Sequence, residues 1–117
     1  MSTLACKQEI KKVGVTLITP EEMQALLLVD QVQLIDVRTP EEFESGYVKN
    51  AVNMNFYDDD FSENLDKLDK TKPVCVYCKK GGRSAKAAKQ LHEKGFEEVY
   101  DLDGGITNWI KKYKTVH

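Results

Sequence analysis

Apolar positions along the chain fall into five short blocks, and the stretches between them change to helical spacing. Val15-Thr16-Leu17-Ile18 and Val32-Gln33-Leu34-Ile35-Asp36-Val37 are β-branched, apolar runs of strand length. Ala51-Val52-Asn53-Met54, Pro73-Val74-Cys75-Val76-Tyr77 and Val99-Tyr100-Asp101-Leu102 repeat that pattern. Between the first two blocks, Thr19-Pro20-Glu21-Glu22 predicts a helix start. Thr19 is placed as N-cap, Pro20 at the first helical position and Glu22 to close a capping box. Met23, Leu26 and Leu27 then share one face. Pro40-Glu41-Glu42-Phe43 starts a second short helix, and Phe61 to Leu68 predicts a third, with Ser62 as candidate cap and Leu65 and Leu68 facing inward. Ser84 to Lys94 is the clearest helix, with Ala85, Ala88 and Leu91 as its stripe and Gly95 where a terminating glycine belongs. Gly104-Gly105 turns the chain into a last helix carrying Ile106, Trp109 and Ile110.

Strands alternating with helices predict an α/β fold: a five-stranded, mostly parallel sheet flanked by helices on both faces. Residues 1–14 are polar and lysine-bearing and read as a flexible lead-in, with residues 15–117 as one domain. In open sheets of this kind, sites lie beyond the carboxyl ends of the strands. The segment after Tyr77 is such a place.

Composition narrows the function classes. The chain is 41% hydrophobic and 31% charged, an ordinary globular balance. A formal net charge of -2 disfavours nucleic acid as a partner. No apolar run approaches the roughly 20 residues that span a bilayer. Three cysteines are too few and odd in number for a disulfide framework, so at least one thiol is expected free. That fits a cytoplasmic protein or a working thiol. Leu4-Ala5-Cys6 resembles the end of a bacterial lipoprotein signal, although Thr3 fits it poorly. A periplasmic or lipid-anchored origin, with a signal trimmed before Cys6, is therefore the alternative location.

The chemistry concentrates in Cys78-Lys79-Lys80-Gly81-Gly82-Arg83-Ser84, between the fourth strand and the clearest helix. A loop here can aim several backbone N–H groups inward, and the helix start adds partial positive charge. Gly81 and Gly82 permit the curvature and positive φ of such an amide nest. Lys79, Lys80 and Arg83 add full charges. A thiol in that setting ionises readily and is a competent nucleophile without metal or organic cofactor. Cys78 is thus expected as an exposed thiolate facing an anionic substrate.

The chain resembles a rhodanese domain, the thiosulfate sulfurtransferase family. Residues Leu34 to Phe43 resemble its LIDVRxxxEF segment; Gly46-Tyr47-Val48 and Ala51-Val52-Asn53 resemble GHIxGAxN, with Tyr47 where histidine is common. Cys78 to Ser84 resembles the six-residue active loop CxxGxR followed by serine, and Gly104-Gly105 with Trp109 resembles the closing GGxxxW. The resemblance covers about residues 15 to 112. It implies double displacement, in which Cys78 takes the outer sulfur of an anionic donor such as thiosulfate as a persulfide. A thiol or redox-protein acceptor then removes it. It also implies that Arg83 and the amides of residues 79–83 bind the anion and the persulfide. Lys79 stands where such loops often place arginine, which keeps the charge but loses a planar donor.

Other readings compete with these. Asp36, Arg38 and Ser84 are supporting candidates, with Asp36 and Arg38 expected in a structural ion pair with residues such as Glu42. Cys75 and Cys78 form a C-x-x-C, yet strand alternation points Cys75 away from Cys78. One C-x-x-C and two scattered histidines make a poor zinc set. His92 reads as a surface helix residue and Asp58-Asp59-Asp60 as a solvated loop. Phe56 and Tyr57 either wall the site or simply pack. A related phosphatase loop has five residues between cysteine and arginine; here there are four, Lys79 to Gly82. A persulfide carrier or a non-catalytic partner-binding or redox-sensing module is the remaining alternative.

Overall fold

A computed structural model describes residues 14–29 and 31–117. Apart from Gly14, the expected lead-in, with Cys6, lies outside the described residues. Gly14 itself opens the first strand, β1 (Gly14–Ile18). Then follow α1 (Pro20–Val29), β2 (Gln33–Asp36), α2 (Pro40–Glu44), β3 (Val52–Asn53) and α3 (Phe61–Leu65). The chain continues through β4 (Val74–Tyr77), α4 (Gly82–Glu93), β5 (Glu98–Leu102) and α5 (Gly105–Trp109).

The five strands pair in the order β1-β5-β4-β2-β3, and every pairing is parallel, not merely most. Parallel pairing follows from the helical crossovers that separate the strands. It puts β4, the most apolar strand, near the middle, where all four of its residues are buried.

Side chains alternate across this sheet and build two cores. On one face Ile35, Val37, Val74, Val76 and Val99 meet Phe61 and Leu65 of α3 and Ala87, Ala88 and Leu91 of α4. On the other, Leu34, Cys75, Tyr77, Tyr100 and Leu102 meet Met23 of α1 and Ile106 and Trp109 of α5. Both faces are therefore covered by helices.

Local sequence explains most helix boundaries. At α1 the capping box forms: Glu22 N–H donates to Thr19 Oγ1 at 3.1 Å, and Thr19 N–H to Glu22 Oε1 at 2.9 Å. Three details differ from the periodicity. Asp60, not Ser62, stands at the N-cap of α3, which closes after Leu65 instead of reaching Leu68. In α4 the buried face is Ser84, Ala87, Ala88 and Leu91, while Ala85 is exposed. The helix starts two residues early because Gly81, at φ +122°, lets the chain turn there, and Ala85 N–H already bonds Gly81 O at 3.1 Å. In α5, Ile110 is the C-cap and is 57% exposed, whereas Trp109 is buried as the anchor.

Candidate active site

The carboxyl ends of β2 and β4 and the start of α4 converge on Cys78. Beside it is an open cavity of about 400 Å³, lined by Phe56, Tyr57, Cys78, Lys79, Lys80, Gly82, Arg83 and Lys86. Phe56 and Tyr57 thus wall the cavity, and Phe56 also packs edge-on against Phe61, so both readings of that pair hold.

Cys78 is not an exposed thiol: its residue is only 1% accessible. It continues the inward-facing series Val74, Val76, Cys78 and packs with Ala87 and Ala88. The sulfur nevertheless has polar neighbours. Gly81 N–H donates to Cys78 Sγ at 3.0 Å, and the thiol donates to Ser84 Oγ at 3.5 Å. The positive φ of Gly81 makes the first contact possible by folding the loop back on the sulfur. An N–H held at a sulfur stabilises negative charge there, as do the free amides at the N-terminus of α4.

The cations divide into two kinds. Arg83 lines the cavity, but its Nη1 and Nη2 donate to Glu42 Oε1 and Oε2 at 2.7 and 3.0 Å, and its guanidinium lies 5.6 Å from the Tyr57 ring centroid. Glu42 hydrogen bonds raise the Arg83 pKa, and the Arg83 bonds in turn hold the Glu42 carboxyl down at about 2. Lys79 and Lys80 are exposed, as is Lys86, and none of the three makes an ion pair with the described residues.

Asp36 and Arg38 form the expected ion pair, at 2.6 Å and almost fully buried. Arg38 also donates to Gly46 O at 2.8 Å. Burial works against the Arg38 charge, but the Asp36 hydrogen bonds outweigh it and leave the pKa raised. The pair braces the loops beside the site from the opposite side of β2. Glu42, expected in that network, instead closes the α2 capping box with Thr39 and holds Arg83. Tyr47 stacks on Phe43 with centroids 4.0 Å apart, a packing role.

Three contributors escaped the sequence reading. Lys86 lies one turn into α4, beyond the loop motif. Thr39-Pro40-Glu41-Glu42, which repeats the Thr19-Pro20-Glu21-Glu22 cap, signals the capping role of Glu42 but not its pairing with Arg83, 41 residues away. Gly105 presses on the loop from outside: a Cβ there would sit 2.4 Å from Lys79 O and 2.6 Å from Cys78 O. That approach lets Ile106 N–H donate to Cys78 O at 2.9 Å and Thr107 N–H to Lys79 O at 3.1 Å.

The other chemical candidates are separated from this site. Cys75 packs in the opposite core, and burial, helped by Asp101, pushes its thiol well above the ordinary range. His92 and Asp58 to Asp60 are exposed. Among the described residues no three histidine, cysteine or acidic side chains are grouped to hold a metal, and no helix is long and apolar enough to cross a membrane.

Comparison with known proteins agrees with this architecture. The model of the rhodanese-like domain matches residues 19–112. A tRNA uridine(34) hydroxylase of Pelagibacter ubique is 36% identical over 120 residues, covering 92% of this chain but only 39% of that protein. The rhodanese-related protein of Thermoplasma volcanium superposes with a TM-score of 0.75 at 29% identity, over 85% of this chain and 95% of that one. The polysulfide-sulfur transferase homodimer of Wolinella succinogenes superposes with a TM-score of 0.74 at 33% identity, over 87% and 78%.

Proposed function

The chain belongs to the rhodanese-like domain family, and from that premise we propose that it moves sulfane sulfur from a small anionic donor to a thiophilic acceptor through a persulfide on Cys78. The observation that carries this reading is the contact between Gly81 N–H and Cys78 Sγ at the floor of a basic cavity. A nucleophilic sulfur needs its negative charge stabilised, and an anionic donor needs cations at the mouth.

The reaction is two displacements. Cys78 thiolate attacks the outer sulfur of thiosulfate; the sulfur–sulfur bond breaks and sulfite leaves with its electron pair. The Cys78 persulfide then carries one negative charge, which the Gly81 amide and the α4 terminus stabilise. A second thiophile, cyanide or a thiolate, attacks the outer sulfur and returns Cys78 as thiolate. No external oxidant or reductant enters. The Glu42 clamp fixes Arg83 at the cavity wall, leaving Lys79, Lys80 and Lys86 as the mobile cations for donor recognition. Lysines select charge more than shape. Thiosulfate and short polysulfides both satisfy such a cavity, and the name of the Wolinella neighbour supports including the latter.

Thiocyanate release from thiosulfate and cyanide tests the reading. The full chain should turn over repeatedly and Cys78→Ser should be inactive while keeping its fold. Turnover by Cys78→Ser would refute the assignment. A single stoichiometric sulfur loading without turnover would identify a persulfide carrier instead.

A further inference from the structure

A second polar group reaches Cys78 from the buried side. Ser84 is fully buried, and Asp101, on β5, is 4% exposed. Ser84 Oγ donates to Asp101 Oδ1 at 2.7 Å, with Gly81 O a more distant acceptor at 3.3 Å. A serine has one hydroxyl hydrogen. With that hydrogen on Asp101, the Ser84 oxygen presents a lone pair to the Cys78 thiol 3.5 Å away. The three groups are linked in sequence by hydrogen bonds: thiol, hydroxyl, carboxylate.

Nothing in the packing calls for a carboxylate at this position. Asp101 stands in register with Val76 and two residues after Val99, on the apolar face that α4 covers. Among the described residues it makes no ion pair, and Ser84 is its hydrogen-bond partner. Burying a carboxylate is costly unless it is paired and fully hydrogen-bonded, and one serine hydroxyl compensates little of that cost.

We propose that Asp101 is the proton acceptor for Cys78, acting through the Ser84 hydroxyl; this rests on Cys78 being the sulfur-carrying group. The thiol proton passes to Ser84 Oγ as the Ser84 proton passes to Asp101 Oδ1. One S–H and one O–H bond break, and two O–H bonds form. The products are a thiolate, an unchanged serine and a neutral carboxylic acid, so the site gains no net charge. The thiolate then has two donors, Gly81 N–H and Ser84 O–H.

Electrostatics raise the proton affinity of the acceptor. Burial raises the Asp101 pKa to about 6; the Ser84 bond opposes this and the charge of Asp103, at the end of the same segment, adds to it. From β4, Cys78 faces Asp101 through Ser84, and Cys75 bears on it from the other face. From β1, no residue of Gly14–Ile18 is ionisable, and from α4 the buried face offers only Ser84, Ala87, Ala88 and Leu91. A carboxyl with no cation against it among the described residues accepts a proton readily.

The test is the pH profile of Cys78 alkylation by iodoacetamide, read by peptide mass spectrometry so that Cys6 and Cys75 are counted separately. The wild-type rate should show an inflection near pH 6 besides a higher one. Asp101→Asn and Ser84→Ala should each lose the lower inflection, Ser84→Ala with a rate reduced roughly tenfold at pH 7 from loss of a donor to charge. Ser84→Thr should restore both. Retention of the lower inflection in both variants, or a uniform reduction at every pH, would overturn the relay. Alkylation needs no sulfur donor, so the outcome is separate from that of sulfur loading. A chain that loads sulfur with an unchanged profile refutes the relay alone. A chain that loads none refutes the carrier reading on which the relay rests.

Discussion

Replacing Asp101 with asparagine should stabilise the protein at neutral and alkaline pH and lose that advantage in acid. The folded-state pKa of Asp101 is about 6, against an ordinary 3.8, because burial disfavours its charge. For a raised value, the favourable contribution to folding is complete below the unfolded pKa and is lost as pH rises through the folded one. The wild type should therefore surrender stability between about pH 4 and pH 6. Two pH units correspond to about 3 kcal/mol at most. Replacing a charged acceptor of the Ser84 hydroxyl by a neutral one takes back about 1 kcal/mol. A net gain of about 2 kcal/mol at pH 8 remains, or several degrees in melting temperature for a domain of this size. Urea unfolding followed by fluorescence of Trp109, the single tryptophan and a buried one, reads the difference directly. Wild type and Asp101→Asn should coincide, or the wild type lead slightly, at pH 4, and separate by pH 8. A difference independent of pH, or a variant less stable at pH 8, would refute the reasoning.

Two further predictions concern the cavity and the loop. Lys86→Glu reverses a cation at the rim, and a charge interaction of about 1 kcal/mol in partly solvated surroundings should raise the KM for thiosulfate at least five-fold. That effect should shrink at high salt, and steady-state thiocyanate assays at two ionic strengths check it; an unchanged KM would remove Lys86 from donor binding. Gly105→Ala places a methyl against backbone carbonyl oxygens that cannot move aside cheaply, at a φ of +63°. A loss of more than about 3 kcal/mol in stability, or a tenfold or greater fall in kcat with the fold kept, is expected from the displaced loop; near-wild-type activity and melting temperature would contradict the claim that α5 holds the loop.

The parts of the fold set by local pattern were the most readable. The apolar blocks mark the strands to within about one residue, because a buried parallel strand such as β4 is a short continuous apolar run, and the edge strands β1 and β3 keep β-branched residues although partly exposed. The cap at Thr19 was visible for the same local reason. The errors arose where tertiary contacts decide. Ser62 resembles a cap, but the turn from Asp58 to Phe61 hands that place to Asp60. Ala85 reads as inward from its spacing to Ala88, but the buried face is the i, i+3, i+4, i+7 set Ser84, Ala87, Ala88 and Leu91, whose first member is polar and so does not stand out as apolar.

The site was legible as a motif and less so as a network. Cys78, Lys79, Lys80, Gly82 and Arg83 do gather at one cavity, as contiguous loop residues must. What Arg83 does there depends on Glu42, which is 41 residues away in the chain. Asp101 was read only as part of a strand, since alternation assigns a face and not a partner. The link from Asp101 through Ser84 to Cys78 exists only once β5 lies beside β4.

Intact-mass measurement of the full chain after thiosulfate treatment tests the central claim most directly. A gain of one sulfur atom, mapped to the Cys78 peptide, removed by cyanide and missing from Cys78→Ser, is the predicted result. No gain in the wild type, or the same gain in the serine variant, would contradict it.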